Sequence, residues 1–150
     1  DWFDDPNRKM LNALLTENKM ARVVIDTRPI RNMAGDESIK DSAYESLLEA
    51  RERKPDVPVF EEQTTDFTFL RYIGHPEMSQ NTVWVEEWVE RIVNQLSTKS
   101  EAYVFCHTPD NYLAPYLCKE IYGRVASQVK INSLPWNDIE SDIPKQANLF

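Results

Sequence analysis

The sequence predicts an α/β fold assembled from parallel βα units. Short β-branched or aromatic runs begin near residues 22, 67, 101 and 128, so successive starts lie 45, 34 and 27 residues apart. Amphipathic helical patterns fill the intervals, and such long connections suit parallel crossovers, not hairpins. Four units make either a small open sheet or half of a (β/α)8 barrel, which takes about 250 residues. Composition leaves both open.

Each element has a local reason. Asp5-Pro6 reads as a helix start, with Met10, Leu11, Leu14 and Leu15 forming one apolar stripe behind it. Residues 22–27 form a short β-branched strand, followed by a polar loop from Pro29 to Asp36. A helix is expected over 39–53 with Tyr44, Leu47 and Leu48 inward. Pro55 and Pro58 end it and lead an extended linker. The second strand covers 67–73 and stops at Gly74-His75-Pro76. Val85, Val89, Ile92 and Leu96 recur at spacings of four, three and four, the pattern of an amphipathic helix. Glu86, Glu87, Glu90 and Arg91 would form its solvated face. Trp84 and Trp88, four residues apart, read as helix-to-sheet packing. The third strand covers 102–106, and a helix from about Asn111 to Tyr122 ends near Gly123, with Pro115 tolerable in its first turn. A last strand near 128–131 precedes a Pro-containing tail over 133–150.

Composition excludes several classes. The 150 residues carry 25 acidic and 17 basic side chains, a formal net charge of −8. That balance argues against direct nucleic-acid binding through phosphate neutralisation. No apolar run approaches the roughly 20 residues of a membrane span. Only Gly35, Gly74 and Gly123 occur, too few for a Walker A loop or a dinucleotide-binding turn. Cys106 and Cys118 are isolated, with no C-x-x-C motif, and read as small buried hydrophobes in a reducing, cytoplasmic setting. The chain opens at Asp1-Trp2-Phe3 without an initiator Met, so a piece of something longer is expected.

Several linked motifs then narrow the reading. Ile25-Asp26-Thr27-Arg28, Lys54-Pro55-x-Val57-Pro58, Leu70-Arg71-Tyr72-Ile73-Gly74-His75-Pro76 and Phe105-Cys106-His107-Thr108-Pro109-Asp110-Asn111 occur in one order. Together they resemble the YecE-like family, domain of unknown function 72, nearly end to end. That family is similar to a TIM barrel of about twice this length. The resemblance implies that residues 1–150 are a single partial domain, the C-terminal half of a (β/α)8 barrel with four parallel βα units. A half barrel leaves two sheet edges and one face bare, so self-association or pairing with the missing half is expected.

In a parallel α/β fold, ligands bind at the C-terminal ends of the strands. Asp26 and Arg28, Arg71 and His75, and His107, Asp110 and Asn111 all fall there. The chemical reading is a small anionic ligand, phosphorylated or nucleotide-like. Arg28 and Arg71 would hold its charge, with Asp26, Asp110 and Asn111 lining the site and His107 or His75 serving as general acid or base. Each residue also has a local alternative. Arg71 could pair with Asp26 inside the fold, and Asp110 or Asn111 could cap the next helix. Two His plus Asp26 is a conceivable metal set, but no ligand spacing supports it, and no cofactor is indicated. Cys106 and His107 are adjacent on a strand and point to opposite faces, which disfavours a nucleophilic pair. Trp136, after the last expected strand, is a candidate for the site rim.

The tail suggests a different class of function. Gln146-Ala147-Asn148-Leu149-Phe150 resembles the pentapeptide that docks bacterial proteins on the DNA polymerase sliding clamp. Gln146, Leu149 and Phe150 match that pattern, whereas Ala147 and Asn148 depart from it. An extended tail can seat adjacent Leu and Phe in an apolar pocket while the Gln amide fixes register. The alternative is that Leu149 and Phe150 pack back on the fold.

Overall fold

The structure, a computed structural model, describes residues 2–34, 36–39, 41–60 and 62–134. Helix α1 (Asp5–Glu17) leads into strand β1 (Val23–Asp26), a single-turn helix α2 (Arg28–Arg31) and helix α3 (Asp41–Arg53). Strand β2 (Phe67–Ile73), a 3₁₀ turn (Met78–Asn81), helix α4 (Thr82–Ser97), strand β3 (Glu101–His107) and helix α5 (Ala114–Ala126) follow. The strands form one parallel sheet in the order β1-β2-β3. The parallel βα alternation expected from the sequence is therefore present, with three strands among the described residues.

Because side chains alternate along a strand, register divides the sheet into two chemically different faces. Val24, Leu70 and Val104 form one cross-strand row, and Asp26, Tyr72 and Cys106 the next. These rows face α4 and α5, where Val85, Trp88, Val89, Ile92, Leu117, Ile121 and Val125 close the main core with Leu70 and Tyr72. Full burial of each such aliphatic side chain contributes about 1.5–3 kcal/mol, so this layer holds the two helices on the sheet. The helical stripe of α4 follows from its sequence spacing, with Trp88 joining the buried set.

The opposite face carries Val23, Phe69 and Tyr103 in one row and Ile25, Arg71 and Phe105 in the next. Phe69 stacks on Phe105 with centroids 4.6 Å apart, and Phe67 meets Tyr103 edge to face at 5.8 Å. Among the described residues, no helix layer comparable to α4 and α5 covers these aromatics, and Val23, Tyr103 and Phe105 are exposed. At the C-terminal end of β1 and β2 a smaller cluster forms instead. Ile30, Leu47 and Ala50 bury against Ile73, with Ile25 and Ile39 beside them.

Four local expectations need correction. Residues 128–131 form no strand, so four βα units are not seen. Val129 and Ile131 pack against the main core, the Val129 amide bonds back to the Val125 carbonyl, and the Tyr122 hydroxyl holds the Asn132 carbonyl. The segment is thus engaged by α5 and not by a strand ladder. The loop after β1 contains a helical turn, because Ile30 has an apolar cluster to enter. On α3, Leu47 and Ala50 point inward, whereas Tyr44 and Leu48 are exposed. Helix α5 starts at Ala114 and continues through Gly123, since buried Val125 rewards the extra turn. Residues 135–150, and with them Trp136 and the tail motif, lie outside the described residues. Among the described residues, no helix is long and apolar enough to cross a membrane.

Candidate functional site

The residues expected at one mouth occupy three separate environments. Asp26 ends β1 on the helix-facing side and is fully buried. Arg28 approaches it through its backbone amide and Nε, both 3.0 Å from Oδ1, and through Nη2, 2.7 Å from Oδ2. Trp88 Nε1 donates to Oδ2 from α4 at 2.7 Å. Four donors leave this carboxylate little capacity for a ligand. Arg28 Nη1 continues to Glu87 Oε2 at 3.0 Å, and Glu87 also holds Arg91. Burial opposes the Arg28 charge, but hydrogen bonds to Asp26 and Glu87 outweigh it and raise its pKa. This network fastens the end of β1 to α4. Glu87 is therefore an internal partner and not part of a purely solvated face.

His75 belongs to a second network. Its ring is completely buried, with the Glu77 amide donating to Nδ1 at 3.0 Å and Asp36 Oδ1 lying 3.3 Å from Nε2. That pattern assigns the neutral-ring proton to Nε2. Arg51 clamps Asp36 from α3 through Nη1–Oδ2 at 2.7 Å and Nη2–Oδ1 at 3.0 Å. The Arg51 hydrogen bonds lead in holding the Asp36 carboxyl below its ordinary pKa, against the opposing effect of burial. Both His75 nitrogens are thus committed to the protein.

Asn81 organises the same turn. Its Oδ1 accepts the His75 amide at 2.8 Å and its Nδ2 donates to the His75 carbonyl at 3.0 Å. Gly74 lies beneath, its amide bonded to the His107 carbonyl at 2.8 Å. A Cβ there would fall 2.5 Å from Leu117 Cδ2 and 2.8 Å from Asn81 Oδ1, so only hydrogen fits. Sequence reading missed Asn81, Asp36, Arg51 and Trp88 as partners. The available signals were a polar residue just before α4 and an indole in its second turn.

Arg71 and His107 define the third environment. Both lie on the face opposite α4 and α5, Arg71 in the row of Ile25 and Phe105 and His107 in the next row with Ile73. The Asp26–Arg71 ion pair weighed from sequence does not form, because the two residues point to opposite sides of the sheet. The Arg71 side chain makes no hydrogen bond or ion pair with the described residues. His107 Nδ1 lies 3.4 Å from Asn111 Oδ1, and Asn111 adopts a left-handed φ of 59°. Asp110 Oδ1 accepts the Tyr112 amide at 3.0 Å, a local turn and not a helix cap, since α5 begins later. No group of three or more metal-ligating side chains occurs among the described residues. A cleft of about 700 Å³ on the helix side is lined by Phe60, Thr64, Trp88 and Gln95, away from Arg71 and His107.

The model for the family described as Protein of unknown function DUF72 matches residues 1–139. The chain belongs to that family. Within it, the chain is 30% identical over 141 residues to UPF0759 protein YecE of Escherichia coli strain K12. It is 29% identical over the same length to UPF0759 protein YecE of Escherichia coli O157:H7. Each match covers 93% of this chain and 47% of the relative, so the chain spans about half the length of these DUF72 relatives. No solved structure matches the chain.

Proposed function

We propose that this chain is the C-terminal half of a (β/α)8 barrel whose strand ends bind a small anionic ligand, phosphorylated or nucleotide-like. The observation that carries the reading is Arg71, a cation on a largely apolar sheet face with no ion-pair partner among the described residues. A guanidinium so placed favours a phosphate or carboxylate, which can take two of its donors at once. His107, one row nearer the strand ends, keeps Nε2 without a partner among the described residues and can exchange a proton with the bound molecule. Exposed Phe105 and Tyr103 offer flat apolar surface for a base or sugar. Asp26, Arg28 and His75 contribute by holding the loops in place.

The test is titration of the chain with inorganic phosphate and with adenosine monophosphate, followed by NMR of the arginine and histidine side chains. Arg71→Ala should weaken binding about tenfold or more, the worth of a charge-assisted hydrogen bond. Unchanged affinity in both Arg71→Ala and His107→Ala would remove the proposal. The aromatic face and the edges of β1 and β3, left without a strand neighbour among the described residues, support pairing with the complementary half or a second copy. A monodisperse monomer with fully cooperative unfolding would contradict that part.

A second reading concerns a partner protein. The residues Gln146, Leu149 and Phe150 support docking of the tail on a bacterial sliding clamp, independently of the sheet face. A fluorescent peptide of residues 141–150 titrated against the clamp tests it. Failure to bind at high micromolar concentration would rule it out.

A further inference from the structure

Among the described residues, three that are not glycine adopt a left-handed backbone: Lys19, Lys99 and Asn111. Two of them have an ordinary reason. Lys19 and Lys99 each stand one residue past a helix C-cap, at the ends of α1 and α4, and their amides bond back to the Thr16 and Leu96 carbonyls. Asn111 follows no helix. It lies in the β3–α5 connection, beyond His107, the last residue of β3.

The turn around Asn111 is built by the main chain. Its amide donates to the Thr108 carbonyl at 2.9 Å, its carbonyl accepts the Ala114 amide at 3.3 Å, and Asp110 Oδ1 takes the Tyr112 amide. The chain thereby folds back over the strand end, and Asn111 Oδ1 comes to lie 3.4 Å from His107 Nδ1. The His107 carbonyl accepts the Gly74 amide at 2.8 Å, which ties the backbone of the histidine to the end of β2. Main-chain bonds thus set both ends of the side-chain contact. Glycine would satisfy a left-handed turn alone, whereas asparagine tolerates that backbone and adds an acceptor.

We propose that Asn111 is a positioning residue that holds His107 in the tautomer with its proton on Nδ1, so that Nε2 meets the bound molecule as an acceptor. A carboxamide oxygen only accepts, so a neutral imidazole facing it donates from Nδ1. The other nitrogen then carries a lone pair and makes no hydrogen bond with the described residues. Of the two roles weighed for His107, acid and base, this geometry selects the base. A base calls for a donor, so the ligand at the strand ends carries a hydroxyl beside its anionic group, as a sugar phosphate does. That ligand chemistry rests on the anion site proposed above; the tautomer does not. His75 shows the opposite arrangement, with the Glu77 amide on Nδ1 and Asp36 at Nε2. The two histidines of the chain are therefore expected in opposite tautomers, and His75 serves as an internal reference.

The experiment records long-range proton–nitrogen NMR correlations from the histidine rings of the nitrogen-labelled full chain in mildly alkaline buffer, without ligand. His107→Gln assigns the rings by the signals it removes. The expected spectrum places the lone-pair nitrogen at Nε2 in His107 and at Nδ1 in His75. Asn111→Gly keeps the left-handed backbone and removes only the carboxamide, so the ratio of Nδ1–H to Nε2–H forms in His107 should fall about fivefold or more, the worth of one hydrogen bond. Asn111→Asp, which also accepts at Nδ1, should restore the ratio. The Thr108 and Tyr112 amide shifts report whether the turn persists in each variant, and the wild-type spectrum decides the tautomer without them. An asparagine that serves only the turn would leave the ratio unmoved. A wild-type His107 with its proton on Nε2, or one ratio shared by wild type and Asn111→Gly, would overturn the proposal. No ligand is present in these measurements, so their failure is distinct from failure of the phosphate and adenosine monophosphate titrations, which test the anion site itself.

Discussion

Replacing Asp26 with Asn separates a structural carboxylate from a ligand-binding one. In the folded chain, Asp26 accepts three hydrogen bonds from Arg28 and one from Trp88 Nε1 while fully buried. An amide keeps one acceptor oxygen and presents an NH2 group toward the remaining donors, so at least one N–H meets N–H. Breaking a buried charge pair by removing one partner costs about 3–5 kcal/mol. Arg28 retains Glu87 and is about one-third exposed, so solvent recovers part of that loss. A cost of about 2–4 kcal/mol follows. With a urea m-value of roughly 2 kcal/mol per molar, the unfolding midpoint should fall by about 1–2 M. Chemical denaturation at pH 7 followed by Trp fluorescence measures it, with Trp88→Phe as a companion expected to lose about 1.5 kcal/mol. A midpoint within about 0.2 M of wild type for Asp26→Asn would refute the structural assignment and return Asp26 to the site.

Gly74→Ala should destabilise the chain by about 2 kcal/mol, because the new methyl meets Leu117 and the Asn81 amide oxygen; thermal melting checks it. Acid should loosen the α3 side of the fold first. The Asp36 pKa is lowered in the folded chain from an ordinary 3.8, so its contribution is complete above that value. The contribution is lost as pH falls through the depressed folded value, and Asp36→Asn should flatten that limb of the stability–pH curve. Glu87→Gln weakens one arm of the Arg28 clamp only, so a loss of about 0.5–1 kcal/mol by urea melt is expected. Arg51→Met strips Asp36 Oδ2 of its donor and leaves Oδ1 to His75 alone, and should cost more than Glu87→Gln in the same assay.

Strand β2 and helix α4 were legible because apolar residues dominate both. Residues 67–73 are an apolar and aromatic run bounded by Gly74, and 85–96 recur with helical period, so local pattern and tertiary burial agree. Residues 128–131 have equal local β character and form no strand, since a strand requires a ladder partner that no local pattern supplies. Candidate residues were found by type and by position near strand ends. Their grouping was not legible, because parity decides it. Asp26 and Arg71 sit one register step apart and therefore on opposite sides of the sheet.

The row that holds Arg71 has a consequence for binding affinity. Ile25 and Phe105 stand one strand spacing away on either side, roughly 4.8 Å, and fence the aliphatic stem of the arginine. A free arginine gives up about 2 kcal/mol of rotamer entropy when it is immobilised. Here the neighbouring strands have taken part of that loss at the moment of folding. An arriving anion would meet a guanidinium whose search is already narrowed, and its affinity would owe as much to that confinement as to charge.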